Sequence, residues 1–378
     1  MTKKITSVLL AVMLLLSCFA ATAGAALVVR TVTYHAGEDN EITKVAFAYT
    51  DGTVYIDSYP YFGSSYLTRD NYAFAGWSDE ENGKVVYFGG EEVALDGSID
   101  LYAVWTPVAL EDSEIFFFNN SKRYFTGGED GKYRLNDEHK AMLEKNIFKT
   151  FGPTPVPEIA LGAVLATYPQ WDWQGSCYGI STVTALQHYG FIDIKGLQDA
   201  ESLYDMLNDD ELISVINYYQ ANAATSWLCE NKAVVNAPNS YAASMKDMFE
   251  SVKSGKIVMY TYYKGSAFVT AGHTVLFTGA YEAADGSHVL VTYNSNRPSR
   301  YTNGIKNDRF VLSADFKTMT DDNGVTVGDA NWTDTFEQFK SFDINGKGSA
   351  SSWYNTFFAH IAVAFARFFA ALGNLFHK

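Results

Sequence analysis

Cysteine and basic residues are scarce in this sequence. Only 3 of its 378 residues are cysteine, and 28 Lys and Arg stand against 43 Asp and Glu, which gives a formal net charge of −15. A chain with so few cysteines does not depend on a disulfide framework, so we expect its thiols to be free. A chain this acidic repels phosphate backbones, and it has no cluster of Lys and Arg to offset the repulsion. We therefore expect no nucleic-acid partner.

Long apolar runs are also few, and the first of them lies at the amino terminus. Residues 1–26 hold a basic pair, Lys3 and Lys4, followed by a short apolar run and small residues. This layout predicts a secretory signal peptide, because the run is too short for a membrane-spanning helix. Ordinary cleavage after the small residues is favoured, and the alternative is a lipoprotein-type cleavage that leaves a lipid on Cys18. We expect a secreted or surface-associated extracellular protein.

Aromatic and aliphatic residues, by contrast, are abundant. Hydrophobic residues make up 47% of the chain, with 26 Phe, 25 Tyr and 7 Trp, which is ample for packed cores. The length that follows the signal peptide predicts at least two domains. We predict a β-rich module at 27–107, a second domain at 108–345 and an amphipathic helical tail at 346–378.

The module at 27–107 alternates strand-like segments with turn dipeptides such as Asp-Gly and Gly-Gly. Tyr, Val, Phe and Thr recur with a period of two, which predicts a small sheet with hairpins. The segments VTYHAG, YAFAGWSDE and IDLYAVW resemble one internalin-type B repeat of bacterial surface proteins, including its Gly-Trp pair (Gly76 and Trp77). The Asn-Gly-Gly that usually follows the first strand is replaced by His35-Ala36-Gly37. The resemblance implies a β-grasp-like spacer or adhesion module and not a catalyst.

The segment QGSCYGISTVTALQHYG places Cys177 at the predicted start of a helix. Ile180, Val183 and Leu186 recur at helical spacing, and Gly190 lies where a helix-ending glycine is expected. The unpaired N–H groups and the positive dipole end of a helix favour a thiolate over a thiol. We therefore predict that Cys177 is a nucleophile, and the alternative is a buried core cysteine.

A cysteine nucleophile needs a base, and the sequence holds seven histidines. His188 lies further along the same predicted helix, about 16 Å from Cys177 and beyond proton-transfer reach. His139 in a charged helix and His288 in a hairpin are expected at the surface. His273, in TAGHTVLFTGAY, has a glycine before it and an apolar strand after it, so it can lie on a rigid element that faces a cleft. We predict that His273 is the base.

The orienting group for this base is predicted on the next strand. Asn294 ends the segment HVLVTYN, which follows the His273 strand through a hairpin. Antiparallel pairing of the two strands would bring the Asn294 amide oxygen to the imidazole and orient the ring. Asn296, in the turn that follows, is the alternative for this role.

Together these segments resemble the papain-like cysteine peptidases. GSCYGIS looks like the family segment GSCWAFS, AGHTVLFTGAY like the histidine strand, and VTYNSN like the turn that carries the third residue. The resemblance implies Cys177 as nucleophile, His273 as base, Asn294 as its orienter, and a glutamine that holds the oxyanion. Gln170 is favoured for this last role, with Gln174 as the alternative. The separation of Cys177 and His273 is shorter than in papain and fits the compact bacterial branches.

The remaining patterns predict the class of the second domain. Helical patterns cover 196–209, 210–231 and 242–255, and strand patterns cover 256–263, 273–281, 288–294 and 309–316. We expect an α+β, papain-like domain in which the helices form one lobe and the antiparallel strands the other, with the site in the cleft between them. No cofactor is expected. The acidic turn at 321–331 does not meet the EF-hand spacing, so no metal is expected either.

The tail at 346–378 carries an apolar stripe at helical spacing, which suits a helix in a membrane interface or against a protein groove. His360 and Arg367 argue against a membrane-spanning helix. The simpler alternative is that the tail helix docks onto its own domain. The whole sequence thus predicts a cysteine peptidase that acts on peptide or protein substrates and associates with a membrane or cell wall through its tail. The alternatives are a non-catalytic binding or adhesion protein with the same fold, and an acyl transferase of transglutaminase type with the same triad.

Overall fold

The computed structural model of the protein describes part of the chain. The described residues are 30–37, 41–48, 52–62, 65–127, 132–142, 175–223, 232–233, 238–266, 269–302, 306, 308–321, 323–327 and 330–335. The predictions for the signal peptide, Cys18, Gln170, Gln174 and the carboxyl-terminal tail lie outside these residues. The described part has both helices and sheets and is of the α+β class. None of its helices is long and apolar enough to cross a bilayer.

The described residues fall into two compact units. The first comprises those up to Leu67 together with Phe74–Trp105, and the second comprises Thr68–Ala73 and those from Thr106 onward. The main boundary therefore lies between Trp105 and Thr106, close to the predicted division of 27–107 from 108–345. The short segment 68–73 belongs to the second unit because Ala73 packs into its core and the Asn71 carbonyl accepts the Val108 N–H.

The first unit is built from short strands. They are β1 Arg30–His35, β2 Ile42–Ala48, β3 Thr53–Tyr55, β4 Tyr61–Phe62, β5 Ser65–Tyr66, β6 Tyr72–Ser78, β7 Glu92–Ala94 and β8 Ile99–Pro107, although the first two residues of β6 and the last two of β8 belong to the second unit. A four-stranded sheet has the order β2-β1-β8-β6, in which β1 pairs antiparallel with β2 and parallel with β8. Trp77, on the edge strand β6, is fully buried. Gly76 beside it has φ +148°, and a Cβ there would meet the Tyr87 carbonyl oxygen at 2.5 Å, so the Gly-Trp pair is a packing requirement.

The second unit combines a large sheet with helices. Its helices are α1 Lys122–Phe125, α2 Cys177–His188, α3 Asp210–Ala223 and α4 Pro238–Lys253. Its strands are β9 Thr126–Gly127, β10 Lys132–Tyr133, β11 Lys232–Ala233, β12 Val258–Ser266, β13 Val269–Glu282, β14 His288–Tyr293, β15 Arg309–Leu312, β16 Met319–Thr320 and β17 Ala330–Asp334. The seven-stranded sheet has the order β11-β17-β12-β13-β14-β15-β16 and is antiparallel throughout.

The side chains of the central strands are buried on both faces of the sheet. Successive side chains of a strand point to opposite sides, so one strand contributes to both cores. Met259 and Leu276 belong to a core shared with α2 and α3, whereas Val258 and Val275 belong to a core shared with α4. The expectation that all the helices form one lobe is therefore wrong for α4, which covers the opposite face of the sheet. The reason is that near-continuous apolar strands need cover on both sides.

The end of α2 confirms the prediction for Gly190. This residue has φ +70°, the left-handed conformation that glycine adopts without strain. Its N–H donates to the Gln187 carbonyl, and the next N–H, of Phe191, donates to the Leu186 carbonyl. These two bonds form a Schellman motif, which satisfies carbonyls that the helix end would otherwise leave unpaired.

The predicted helix at 196–209 is wrong. Apart from a short 3-10 turn at its start, the segment is irregular. The Gln198 side chain accepts the Leu207 N–H and donates to the Leu207 carbonyl, so it replaces a helical ladder with a closed loop. Asp209 then caps the start of α3, because its carboxylate accepts the Leu212 N–H at 2.9 Å.

Candidate active site

Helix α2 begins at Cys177, as the sequence predicts. The preceding Ser176 is fully buried, and its hydroxyl donates to the Asn217 amide oxygen at 2.6 Å, which holds the chain at the helix entry. The Ser176 carbonyl accepts the first bond of the helix, from the Ile180 N–H. Cys177 carries a free thiol and is only partly exposed. Its own N–H lies in the first turn, where a helix has no internal acceptor to offer.

His273 lies on β13, one of the central strands of the sheet. Its cross-strand partner is Tyr262 on β12, whose ring meets the imidazole edge to face at a centroid distance of 5.7 Å. The imidazole Nε2 lies 2.9 Å from the amide oxygen of Asn294, which immediately follows β14. The ring is thus held on both sides by residues of neighbouring strands.

The Asn294 amide has one possible orientation. Its Oδ1 accepts the backbone N–H of Asn296 at 3.0 Å, and since a backbone N–H can only donate, oxygen must face this turn. The same oxygen faces His273, so the imidazole Nε2 must carry the hydrogen. The other ring nitrogen, Nδ1, is then the one that can take a proton from the Cys177 thiol.

The Cys177 thiol and the His273 imidazole each change the pKa of the other. Burial raises the pKa of Cys177, but the hydrogen bond and the charge of His273, together with bonds from Thr274, outweigh it, so this pKa is lowered. Burial lowers the pKa of His273, but the bond and charge of Cys177 and the bond to Asn294 outweigh it against an opposing effect of Arg297, so this pKa is raised. A lowered thiol pKa beside a raised imidazole pKa favours the thiolate–imidazolium pair.

Two residues near this site, Thr274 and Asn120, are not predicted from the sequence. Thr274, which follows His273, is one of the groups that lower the pKa of Cys177. Asn120 accepts the Ser176 N–H on its Oδ1 at 2.5 Å and donates from Nδ2 to the Asn296 Oδ1 at 3.0 Å. Asn120 therefore links the entry of α2 to the turn after β14. A threonine next to the predicted base is visible in the sequence, but no local sequence pattern distinguishes an asparagine 57 positions before Cys177.

The structure brings together three of the four residues favoured by the sequence: Cys177, His273 and Asn294. Asn296 lies one turn away and contacts Asn120 and the Asn294 oxygen instead of the imidazole. Gln170, the fourth, and its alternative Gln174 lie outside the described residues. The side-chain donor predicted for the oxyanion therefore lies outside the part of the chain that the structure describes.

The other histidines occupy different surroundings from those expected. His139 is partly buried, with its Nδ1 2.7 Å from the Ser214 hydroxyl. His288 stacks on Phe316 at a ring distance of 4.0 Å. The surface placement expected for both is wrong, because each ring finds a packing partner distant in sequence. His188, at the far end of α2, pairs with Glu114.

The part of the chain that the structure describes holds no group of three or more His, Cys, Asp and Glu residues able to bind a metal ion. No protein family, curated protein or solved structure matches the chain.

Proposed function

We propose that the protein is a cysteine peptidase of papain-like type that hydrolyses peptide bonds through Cys177, His273 and Asn294. The single observation that carries the proposal is the imidazole of His273, which lies 2.9 Å from the Asn294 oxygen and is close enough to Cys177 for each of the two groups to shift the pKa of the other. Activation of a thiol by a neighbouring imidazole, itself oriented by a third group, is the arrangement that nucleophilic catalysis requires. A helix that carries the cysteine and a sheet that carries the histidine and asparagine fit the papain-like arrangement.

The reaction begins with the Cys177 thiolate. It attacks the carbonyl carbon of the substrate, a C–S bond forms, and the carbonyl π electrons move to oxygen. The backbone N–H of Cys177 at the start of α2 is placed to donate to this oxyanion. Gln170, or Gln174 in its place, is the proposed side-chain donor. When the C–N bond breaks, the imidazolium of His273 gives its proton to the leaving amine.

The second half of the reaction consumes water. His273 removes a proton from a water molecule, whose oxygen attacks the thioester carbon. The C–S bond breaks, the carboxylic acid leaves and the sulfur takes back the proton. Asn294 accepts the Nε2 hydrogen throughout and so stabilises each imidazolium that forms.

The rest of the proposal concerns where this chemistry takes place. The signal-like residues 1–26 and the β-rich first unit support a secreted, extracellular or cell-surface enzyme with peptide or protein substrates. In that setting the first unit, with its parallel β1–β8 pair, acts as a spacer or adhesion module, and the tail at 346–378 attaches to a membrane or cell wall.

A peptide probe with a thiol-reactive end group tests the proposal on the exported chain. We expect the probe to label the wild-type protein, and we expect Cys177→Ala and His273→Ala to abolish labelling while circular dichroism shows a folded protein. Cys229→Ala is the matched control, because it removes another cysteine of the exported chain and should leave labelling unchanged.

Other outcomes separate the alternatives. Absence of labelling in folded wild-type protein overturns the proposal and favours a binding or adhesion protein. Labelling at Cys177 combined with peptide turnover that requires an added amine overturns the hydrolase and favours an acyl transferase, which forms the same thioester.

A further inference from the structure

Asn120 lies between two parts of the candidate active site and hydrogen-bonds to both. Its side-chain oxygen accepts the N–H of Ser176, the residue before Cys177, at 2.5 Å. Its side-chain nitrogen donates to the Asn296 amide oxygen at 3.0 Å, and its own N–H donates to the Ser295 carbonyl at 2.7 Å. The first of these bonds reaches the helix that carries the thiol. The other two reach the turn that follows the asparagine bonded to the imidazole.

The Asn120 amide has one possible orientation. The Ser176 N–H can only donate, so the oxygen of Asn120 must face it and the nitrogen must face Asn296. Asn296 in turn donates its N–H to the Asn294 oxygen, which also faces the imidazole of His273. A continuous series of hydrogen-bonded groups therefore runs from the residue before the thiol to the imidazole.

The backbone on both sides of Asn120 is anchored. Phe118 before it and Phe125 after it are buried in the core to which α2 and β14 contribute. Ser295, whose carbonyl accepts the Asn120 N–H, has 1% of its surface exposed. An amide that is fixed at its backbone and at both ends of its side chain has little freedom to move. It can therefore hold the two elements at a set separation.

Gly175 shows how closely the chain before the thiol packs on this amide. A Cβ at position 175 would lie 2.2 Å from the Asn120 oxygen and 2.7 Å from its nitrogen. Cβ atoms do not approach other atoms this closely, so a larger residue would push the amide away from its hydrogen-bond partners. The glycine two positions before Cys177 therefore leaves room for the Asn120 side chain.

We propose that Asn120 is a positioning residue, which holds the entry of α2 against the turn after β14 and so sets the separation of the Cys177 sulfur from the His273 imidazole. The inference rests on the proposed function, because it needs Cys177 to act as a nucleophile. The attraction between a thiolate and an imidazolium weakens as the two charges move apart. A residue that sets their separation therefore changes the titration of the thiol without touching it.

A neutral substitution at Asn120 removes no charge from the site. Its hydrogen-bond partners are an N–H, a carbonyl and an amide, all of them neutral. In the described part of the structure, His273 lowers the pKa of the thiol, Arg297 acts on the imidazole, and the Tyr262 ring packs against the imidazole. Because all of these groups remain when Asn120 becomes alanine, a shifted titration of the thiol reports a changed separation.

The test is the rate at which iodoacetamide alkylates Cys177 in the full exported chain, followed from pH 4 to pH 9 by mass spectrometry of the Cys177 peptide. Asn120→Ala releases the Ser176 N–H but keeps the backbone bond to Ser295. We expect alkylation to be about three- to tenfold slower on the acid side of the profile, because the thiolate then needs a higher pH to form. At alkaline pH, where the thiolate forms without help from the imidazolium, we expect the wild-type rate.

Two further variants act on the same amide. Gly175→Ala should displace the Asn120 side chain and slow alkylation on the acid side as Asn120→Ala does. The double variant should be no slower than either single variant, because both changes remove one interaction. Asn296→Ala leaves the bonds to Ser176 and Ser295 in place, so its effect on the profile should be smaller than that of Asn120→Ala.

Asn119→Ala is the matched control. Asn119 is the exposed neighbour of Asn120, and it accepts the Ser121 N–H through its backbone carbonyl, which alanine retains. Its alkylation profile should therefore match that of the wild type.

The failures of the two proposals look different. If Asn120→Ala and Gly175→Ala reproduce the wild-type profile while His273→Ala moves it, the role of Asn120 is overturned and the peptidase proposal stands. A rate that falls equally at every pH in Asn120→Ala shows a structural effect and also overturns that role. If Asn120→Ala does not fold, the profile of Gly175→Ala decides in the same way. If wild-type Cys177 titrates as an ordinary thiol, with a pKa of about 8.5, and His273→Ala changes nothing, the peptidase proposal itself fails.

Discussion

At the scale of single residues, the Cys177 thiol experiences two opposing influences. Burial penalises its charged form, while His273 and Thr274 stabilise that form and lower the pKa. His273 shows the reverse balance, in which burial disfavours the imidazolium and the bonds to Cys177 and Asn294 restore it. Each group therefore favours the charged form of the other, and removing one partner should shift the titration of the other.

Substitution of Asn294 should expose this dependence. In Asn294→Ala the imidazolium loses the acceptor for its Nε2 hydrogen, so the pKa of His273 should fall. We expect the alkaline limb of the pH profile of peptide hydrolysis to move to lower pH and the rate to fall by about tenfold or more. Stopped-flow or fluorogenic-peptide assays over pH 5–9 measure both effects.

Asn296→Ala provides the matched control. It keeps the backbone N–H that orients the Asn294 oxygen and loses only the side-chain contact with Asn120. Its alkaline limb should therefore stay in place. If the alkaline limb of the pH profile moves in Asn296→Ala and not in Asn294→Ala, then Asn296 and not Asn294 orients the imidazole.

At the scale of elements, the contact between α2 and α3 explains one departure from the papain-like segment. Gly179 stands where the family segment has alanine. Its N–H donates to the Gln220 side-chain oxygen at 2.9 Å, and a Cβ at this position would meet the Ile216 carbonyl oxygen at 2.1 Å. The two helices thus approach more closely than alanine allows, and the closeness is part of how the Cys177 helix is held.

Gly179→Ala should push the two helices apart. Because the contacting atom is backbone, α3 must shift as a unit, and we expect a loss of about 1–3 kcal/mol in the free energy of unfolding. Alkylation of Cys177 should also slow on the acid side, since α2 carries the thiol. Urea unfolding followed by circular dichroism measures the first effect.

Gly97→Ala is the matched control for this change, because a Cβ there meets no atom within 4 Å. Its unfolding free energy should stay within about 0.5 kcal/mol of the wild type. A stability of Gly179→Ala equal to that of Gly97→Ala would contradict the close helix approach.

At the scale of the whole molecule, acid should weaken the second unit through the pair of Glu114 and His188, whose atoms are 2.8 Å apart. Burial raises the pKa of Glu114, but the hydrogen bond from His188, the Glu111 N–H and nearby positive charge outweigh it, so the pKa is lowered. A carboxyl group whose pKa is lower in the folded state stabilises the fold above its unfolded pKa of about 4.3. This stabilisation is lost as the pH falls through the folded pKa.

Glu114→Gln should remove this pH-dependent contribution. Because the side chain is 32% exposed, we expect a loss of about 1 kcal/mol at pH 6, or about 2 °C in melting temperature. The difference from the wild type should shrink between pH 5 and pH 3, as the wild-type carboxyl becomes protonated. Glu201→Gln, at an exposed position, is the control and should show no such difference in stability. If the stability difference between Glu114→Gln and the wild type grows as the pH falls, the stabilising role of Glu114 is contradicted.

Much of the fold was readable from short stretches of sequence. The start of α2 at Cys177, the glycine that ends it and the central antiparallel strands follow from signals that operate within a few residues: helical spacing, turn residues and runs of β-branched and aromatic side chains. The helix predicted at 196–209 failed because one side chain, Gln198, competes for backbone groups nine residues away.

The sequence by itself determined the order of the elements and nominated Cys177, His273 and Asn294. Only the tertiary structure decided which face of the sheet α4 covers, and that Asn120 joins the entry of α2 to the turn after β14. The physical reason is the separation along the sequence over which each kind of interaction acts. Periodicity and capping depend on neighbours along the chain, whereas the two Asn120 hydrogen bonds join residues 56 and 176 positions apart and exist only when the packed core brings their backbones together.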